Sequence, residues 1–184
     1  QLPVPMDTLV LENESSGQQS EEHASSAQVQ TVAEGWALLR KCVHIAQRLT
    51  GANYYGKEGV RFREFSSSHF TIDQRRLFDS LKHQKGALIL VYSQKEEKLL
   101  FANSQTRILF DCSAEKFLQE FASFFPEGLS EWKKALSLLS YSSESQSRLL
   151  AKNKTGSEIA LNAHFAVIPT GLFRNYVICL LYPV

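Results

Sequence analysis

Two short runs limit the folds open to this chain more than any other feature. Ala87-Leu-Ile-Leu-Val91 and Tyr176-Val-Ile-Cys-Leu-Leu181 are apolar at every position, on both alternations. A strand with one wet face alternates, whereas a strand without polar positions is buried on both faces. The fold therefore needs cover on each side of these two strands. Glu158-Ile-Ala-Leu-Asn-Ala-His-Phe-Ala-Val-Ile168 alternates instead, with Ile159, Leu161, Ala163, Phe165 and Val167 on one face and Asn162 and His164 on the other.

The first run ends in a polar turn, Ser93-Gln-Lys-Glu-Glu-Lys98, and Leu99-Leu-Phe-Ala-Asn103 follows, so the pair reads as a hairpin. About forty helix-prone residues separate it from the later strands, expected at Ser147–Lys152, 159–167 and 176–181. Two strands, a helical insert and three strands make an α+β chain: one antiparallel sheet with helices on a face. Within the insert, Ser104–Phe110, Ser113–Phe125 and Ser130–Leu139 read as helices, and Phe117, Leu118, Phe121, Phe124 and Phe125 form a dense apolar cluster. Tyr141–Ser147 reads as a serine-rich link.

Upstream, the period is helical from Gln28 to Leu49. Val29, Val32, Trp36, Leu39, Val43 and Ala46 make one stripe, and Leu38, Cys42, Ile45 and Leu49 a second beside it. Together they cover roughly 200° of the helix, about twice what a surface helix needs. Gly51 is a natural stop. A helix this apolar must bury two faces: one could lie on the sheet and the other on a partner, with Val32, Trp36, Leu39 and Val43 as candidates for that interface, or the helix is set deeply in its own monomer. Tyr54–Gly59 reads as a turn, Val60–Phe65 as a short strand and Ser66–His69 as loop. Thr71 is the expected cap of a helix over 72–82 with Leu77, Phe78 and Leu81 on its apolar side.

The residues also carry a resemblance. Leu100-Phe-Ala-Asn103, then Ile108-Leu-Phe-Asp-Cys-Ser-Ala-Glu-Lys-Phe-Leu118, resembles the opening of a PAS domain, and Lys152-Asn-Lys-Thr-Gly-Ser-Glu158 is similar to that family's later hairpin. Asp111-Cys112 stands where the family usually has a turn glycine. The resemblance covers about residues 85–184. It implies a PAS-like five-stranded antiparallel sheet with the helical insert on one face and the N-terminal helix packed on the other. It further implies a sensory or regulatory module acting on an effector outside this chain. Such a module binds a small apolar ligand between insert and sheet, with Phe101, Asn103, Phe117, Phe121 and Phe165 as candidate lining, or signals as a homodimer or with a PAS-type partner. A ligand-free dimerisation scaffold is the alternative. The flavin-binding members carry an Asn-Cys-Arg-Phe-like segment that is missing here, and residues 104–140 lack the histidine that haem-binding members place on the insert. No cofactor is expected.

Charge and chemistry narrow the function. All 20 Lys and Arg lie after residue 39, while Asp7, Glu12, Glu14, Glu21, Glu22 and Glu34 precede it. The organisation expected is a disordered acidic tail over 1–27, a helical extension over 28–84 and the PAS-like domain over 85–184. Basic residues such as Arg61, Arg63, Arg75, Arg76, Lys133 and Lys134 are scattered without aromatic interleaving, so direct nucleic-acid binding is not expected. No apolar run approaches the ~20 residues of a membrane span. The acidic start is unlike a signal peptide, and a first residue of Gln1 with Met6 as sole methionine suggests a chain cut from a longer one. Cys42, Cys112 and Cys179 are odd in number and far apart, which favours free thiols in a reducing cytoplasm. There is no phosphate-binding glycine loop, metal-ligand spacing or nucleophile–base set, so no enzyme is expected. His164 is expected at an exposed or interface position.

Overall fold

The computed structural model describes residues 27–49 and 67–184. The expectations for the acidic tail before Ala27, the stop at Gly51, the turn at 54–59 and the strand at 60–65 lie outside the described residues. Among the described residues eleven elements follow one another. They are α1 (Val32–Arg48), α2 (Ser67–Lys82), β1 (Leu88–Ser93), β2 (Lys98–Ala102), α3 (Thr106–Phe110), α4 (Ala114–Gln119), α5 (Phe121–Phe124), α6 (Leu129–Leu138), β3 (Glu144–Lys152), β4 (Glu158–Val167) and β5 (Tyr176–Pro183).

The five strands form one antiparallel sheet in the order β2-β1-β5-β4-β3. The two runs without polar alternation, β1 and β5, are neighbours in its interior. Leu88–Val91 and Val177–Leu181 have no exposed surface. Helices α3–α6 cover one face, and α1 and α2 the other. Because successive side chains point to opposite faces, each inner strand feeds two cores. Leu88, Leu90, Val177, Cys179 and Leu181 pack under the insert, whereas Ile89, Val91, Ile178, Leu180 and Tyr182 pack under α1 and α2.

Local chemistry explains the helix ends. Thr31 caps α1 by accepting from the Glu34 amide at 3.1 Å, and its hydroxyl donates to the Glu34 carboxylate at 3.0 Å. Ser113 caps α4 through the Lys116 amide. Asp111, in place of the usual turn glycine, adopts the left-handed conformation (φ 53°) that ends α3. An Asp tolerates that region better than most residues.

Several expectations are corrected. Helix α2 begins at Ser67, so 67–69 are helical and Thr71 lies inside the helix. Strand β3 begins at Glu144: the serines read as a link pair residue for residue with β4, from Glu144 opposite Ala166 to Lys152 opposite Glu158. Ser145 is buried there and donates to the Ala135 carbonyl of α6 at 3.0 Å, which satisfies a hydroxyl that looked like loop chemistry.

Candidate functional site

The strand alternation sorts the residues expected to line a cavity. Phe117 on α4 and Phe165 on β4 lie under the insert without exposed surface, and Phe121 packs at the edge of that cluster. Phe101 does not join them. Its neighbour Ala102 faces the insert, so Phe101 points to the opposite face and stacks on Phe78 of α2 at 5.1 Å. Asn103 is a latch between chain segments: it accepts from the Ile89 amide at 3.1 Å and donates to the Ala87 carbonyl at 2.9 Å. A weaker contact, at 3.4 Å, brings the Gln105 amide of the following turn to the same side-chain oxygen.

The space between insert and sheet is occupied by aromatic rings. Phe110 sits 5.0 Å from Phe117, 5.1 Å from Phe124 and 6.0 Å from Phe125, and none of the four is more than 3% exposed. Beside this packed cluster a groove of about 310 Å³ opens between β1–β2, α4–α5 and α6. Leu99, Leu118, Phe121, Leu129, Trp132 and Leu136 supply its apolar wall. Tyr92, Glu97, Lys98, Gln119 and Lys133 add polar groups. Burial, reinforced by the Glu97 carboxylate, pushes the Tyr92 phenol above its ordinary value, so it stays a hydroxyl donor at neutral pH. Trp132 ties groove to core: its ring is 4.8 Å from Phe121 and 5.2 Å from Phe165.

On the other face, Phe165's neighbour His164 has no exposed surface, which corrects the expectation of an exposed position. Helix α1 covers it. His164 Nε2 lies 2.7 Å from the Tyr182 hydroxyl, the two rings stack, and Trp36 packs edge-on at 4.5 Å. Nδ1 has no partner. Desolvation pushes the imidazole down to about 4. Gly35 is what lets α1 come this close, because a β-carbon there would stand 2.8 Å from His164 Nε2 and 2.9 Å from the Tyr182 ring.

The proposed interface residues on α1 also divide. Leu39 is fully buried with Gly35, Cys42 and Ala46 in the stripe on the sheet, so it has no surface to offer a partner. Val32 is 43% exposed, and Trp36 and Val43 are half-buried. The contact line takes Leu39 and Ala46 from one expected stripe and Cys42 from the other, and adds Gly35, whose 3–4 spacing to Leu39 was the signal that could have found it. Of the groove's wall, Phe121 was among the expected lining residues, whereas Leu129, Trp132 and Leu136 fall on the apolar side of the helix expected at 130–139, a pattern that plain core shares.

Burial raises all three thiols, Cys42 to about 12, so each is protonated at neutral pH and poorly suited to nucleophilic chemistry. Among the described residues no three His, Cys, Asp or Glu side chains gather as a metal site. No described helix is long and apolar enough to cross a membrane.

The chain is similar to several known proteins. A UPF0242 protein of Chlamydia caviae is 27% identical over 139 residues, covering 76% of this chain and 33% of that protein. One from Chlamydia pneumoniae is 23% identical over 145 residues, covering 79% of this chain and 36% of that protein. The chain thus spans about a third of the length of these relatives. A solved PAS domain from Colwellia psychrerythraea superposes with a TM-score of 0.46 at 13% identity, over 62% of this chain and 97% of that one. The profile of the UPF0242 C-terminal PAS-like domain matches residues 31–183, and the chain belongs to that family.

Proposed function

We propose that the chain is a sensory or regulatory module that takes a small, largely apolar ligand in the groove beside Trp132 and passes its state to α1. The observation that carries this is the continuity of packing across the sheet at β4. Trp132 in the groove rests on Phe165, and the adjacent His164 rests under Trp36 of α1. A ligand that shifts Trp132 biases two packings of α1 on the sheet, which is a population shift. Helix α1 then alters an effector outside this chain, within the two-thirds of the relatives that it does not span. In this reading the module is not itself an enzyme, and its buried free thiols suit the cytoplasm.

The test is binding coupled to hydrogen exchange. Octanol serves as an uncharged apolar probe. Binding that changes amide protection in α1 supports the reading, and binding that leaves α1 unchanged refutes the transmission step.

The filled phenylalanine cluster favours a second reading, a ligand-free scaffold that pairs with itself or with another PAS-like protein. Native mass spectrometry separates the two. Retained small-molecule mass supports the sensor, and a dimer of bare chains that binds no probe supports the scaffold.

A further inference from the structure

The charges at the groove bear on what kind of molecule it takes. Lys98 begins β2 and Lys133 lies in α6, and both line the groove together with Glu97. Lys133 makes no ion pair among the described residues, whereas its neighbour Lys134 approaches Glu131 at 3.9 Å. Lys98 has only a 3.9 Å contact with the exposed Glu96. Such contacts between exposed groups hold a side chain weakly. The lining itself holds two ammonium groups and one carboxylate, an excess of one positive charge, and among the described residues the exposed Glu96 beside Lys98 is the one further carboxylate that a bound anion would have to displace.

The apolar wall and the charge call for different parts of one molecule. A bare inorganic anion would give up hydration against Leu99, Leu118, Phe121 and Trp132 without return. A neutral hydrocarbon would leave the lysines nothing to bind, and an alkylammonium would be repelled. A singly charged head on a short hydrocarbon matches both. At about 310 Å³ the space is at the small end of ligand sites, which favours a short chain over a full-length lipid.

Building on the ligand-binding reading above, we propose that the groove takes a free medium-chain carboxylate. Its hydrocarbon lies along Leu118, Phe121 and Trp132, and its carboxylate lies between the ammonium groups of Lys98 and Lys133. The Tyr92 hydroxyl is a further donor at the same groove.

Calorimetric titrations of octanoate, octanol and octylamine, below their micellar concentrations, test this on the full chain and on a Lys98→Met/Lys133→Met variant. Methionine keeps the apolar stem of each lysine, and both sites are exposed, so the variant should fold; far-ultraviolet circular dichroism checks this. Octanoate should bind roughly tenfold tighter than octanol, a preference that shrinks with added salt. The double variant should lose that preference and keep its octanol affinity, and octylamine should bind weakest. If octanol binds as tightly as octanoate, or the preference survives in the variant, the carboxylate assignment is overturned while the groove stands as an apolar site. If neither octanol nor octanoate binds, the ligand-binding reading itself falls.

Discussion

Acid should loosen this domain through His164. The ring has no exposed surface, Nε2 is committed to Tyr182, and Nδ1 has no partner. An imidazolium has two N–H donors and a full charge to satisfy, and this pocket satisfies one donor at most. The groups around it are the Tyr182 phenol, the Trp36 ring and, on α1, Glu34 and Arg40. Burial, with a smaller contribution from the Glu34 carboxylate, raises the Tyr182 phenol, and the Arg40 guanidinium lies 5.7 Å from the Trp36 ring centre. None is a counter-charge in contact with Nδ1. Desolvation therefore holds the native imidazole at about 4, against 6.5 for a free one.

The sign follows from proton counting. Between pH 6.5 and about 4 the unfolded chain binds a proton that the native chain refuses. Stability is full above 6.5 and declines as the pH falls through that window. At about 1.4 kcal/mol per pH unit, the loss from pH 7 to pH 4.5 comes to about 2–3 kcal/mol. Urea denaturation of the wild type and of His164→Gln at both pH values measures it. Glutamine does not titrate, and the carboxylates common to both proteins cancel in the difference. The wild type should lose about 2–3 kcal/mol more than the variant. Parallel losses would refute the argument. An NMR titration of the wild-type imidazole gives a second check should the variant fold poorly: a midpoint near 6.5 would also refute it.

Other substitutions probe the remaining contacts. Asn103→Ala removes the partners of the buried Ile89 amide and Ala87 carbonyl and should cost about 2–4 kcal/mol in chemical denaturation. Phe117→Ala empties the centre of the insert cluster and should cost about 3–5 kcal/mol. Gly128→Ala would drive a β-carbon to 2.6 Å from the Leu150 carbonyl oxygen. Because backbone cannot swing aside as a side chain can, and because Gly128 is the N-cap of α6, where alanine is the poorer residue, the variant should lose about 1–3 kcal/mol.

Much of the fold was legible because burial on two faces leaves a plain mark. The uninterrupted runs at 87–91 and 176–181 marked two strands covered on both faces, and the resemblance to PAS domains made them neighbours inside the sheet. What periodicity could not supply was facing direction. Phe101 and Ala102 are both apolar, so nothing in their order says which one meets the insert. The same ambiguity made His164 look like an outward residue: a polar side chain marks a wet face by default, and only the helix lying over it reverses that. Serines misled at both β3 and α2, since their turn preference is a weak prior that strand pairing and helix packing override. The groove was invisible for a related reason, because a tryptophan in a core and one in a groove wall have the same spacing.

The position of β5 bears on how the domain assembles. Strands β1–β2 and β3–β4 are each hairpins joined through local contacts, and β5 lies between the two pairs. Its partner β4 is near in sequence, but Leu181 must find Leu88 across more than ninety residues. Without β5 the hairpins share no hydrogen bonds, and an isolated hairpin is marginal in water. Closing that long loop comes before the inner strand can be paired, so folding should be slow for a domain of this size and highly cooperative. Until the last of the five strands docks, two apolar edges lie open, and that interval is when the chain is most exposed to association with its own copies.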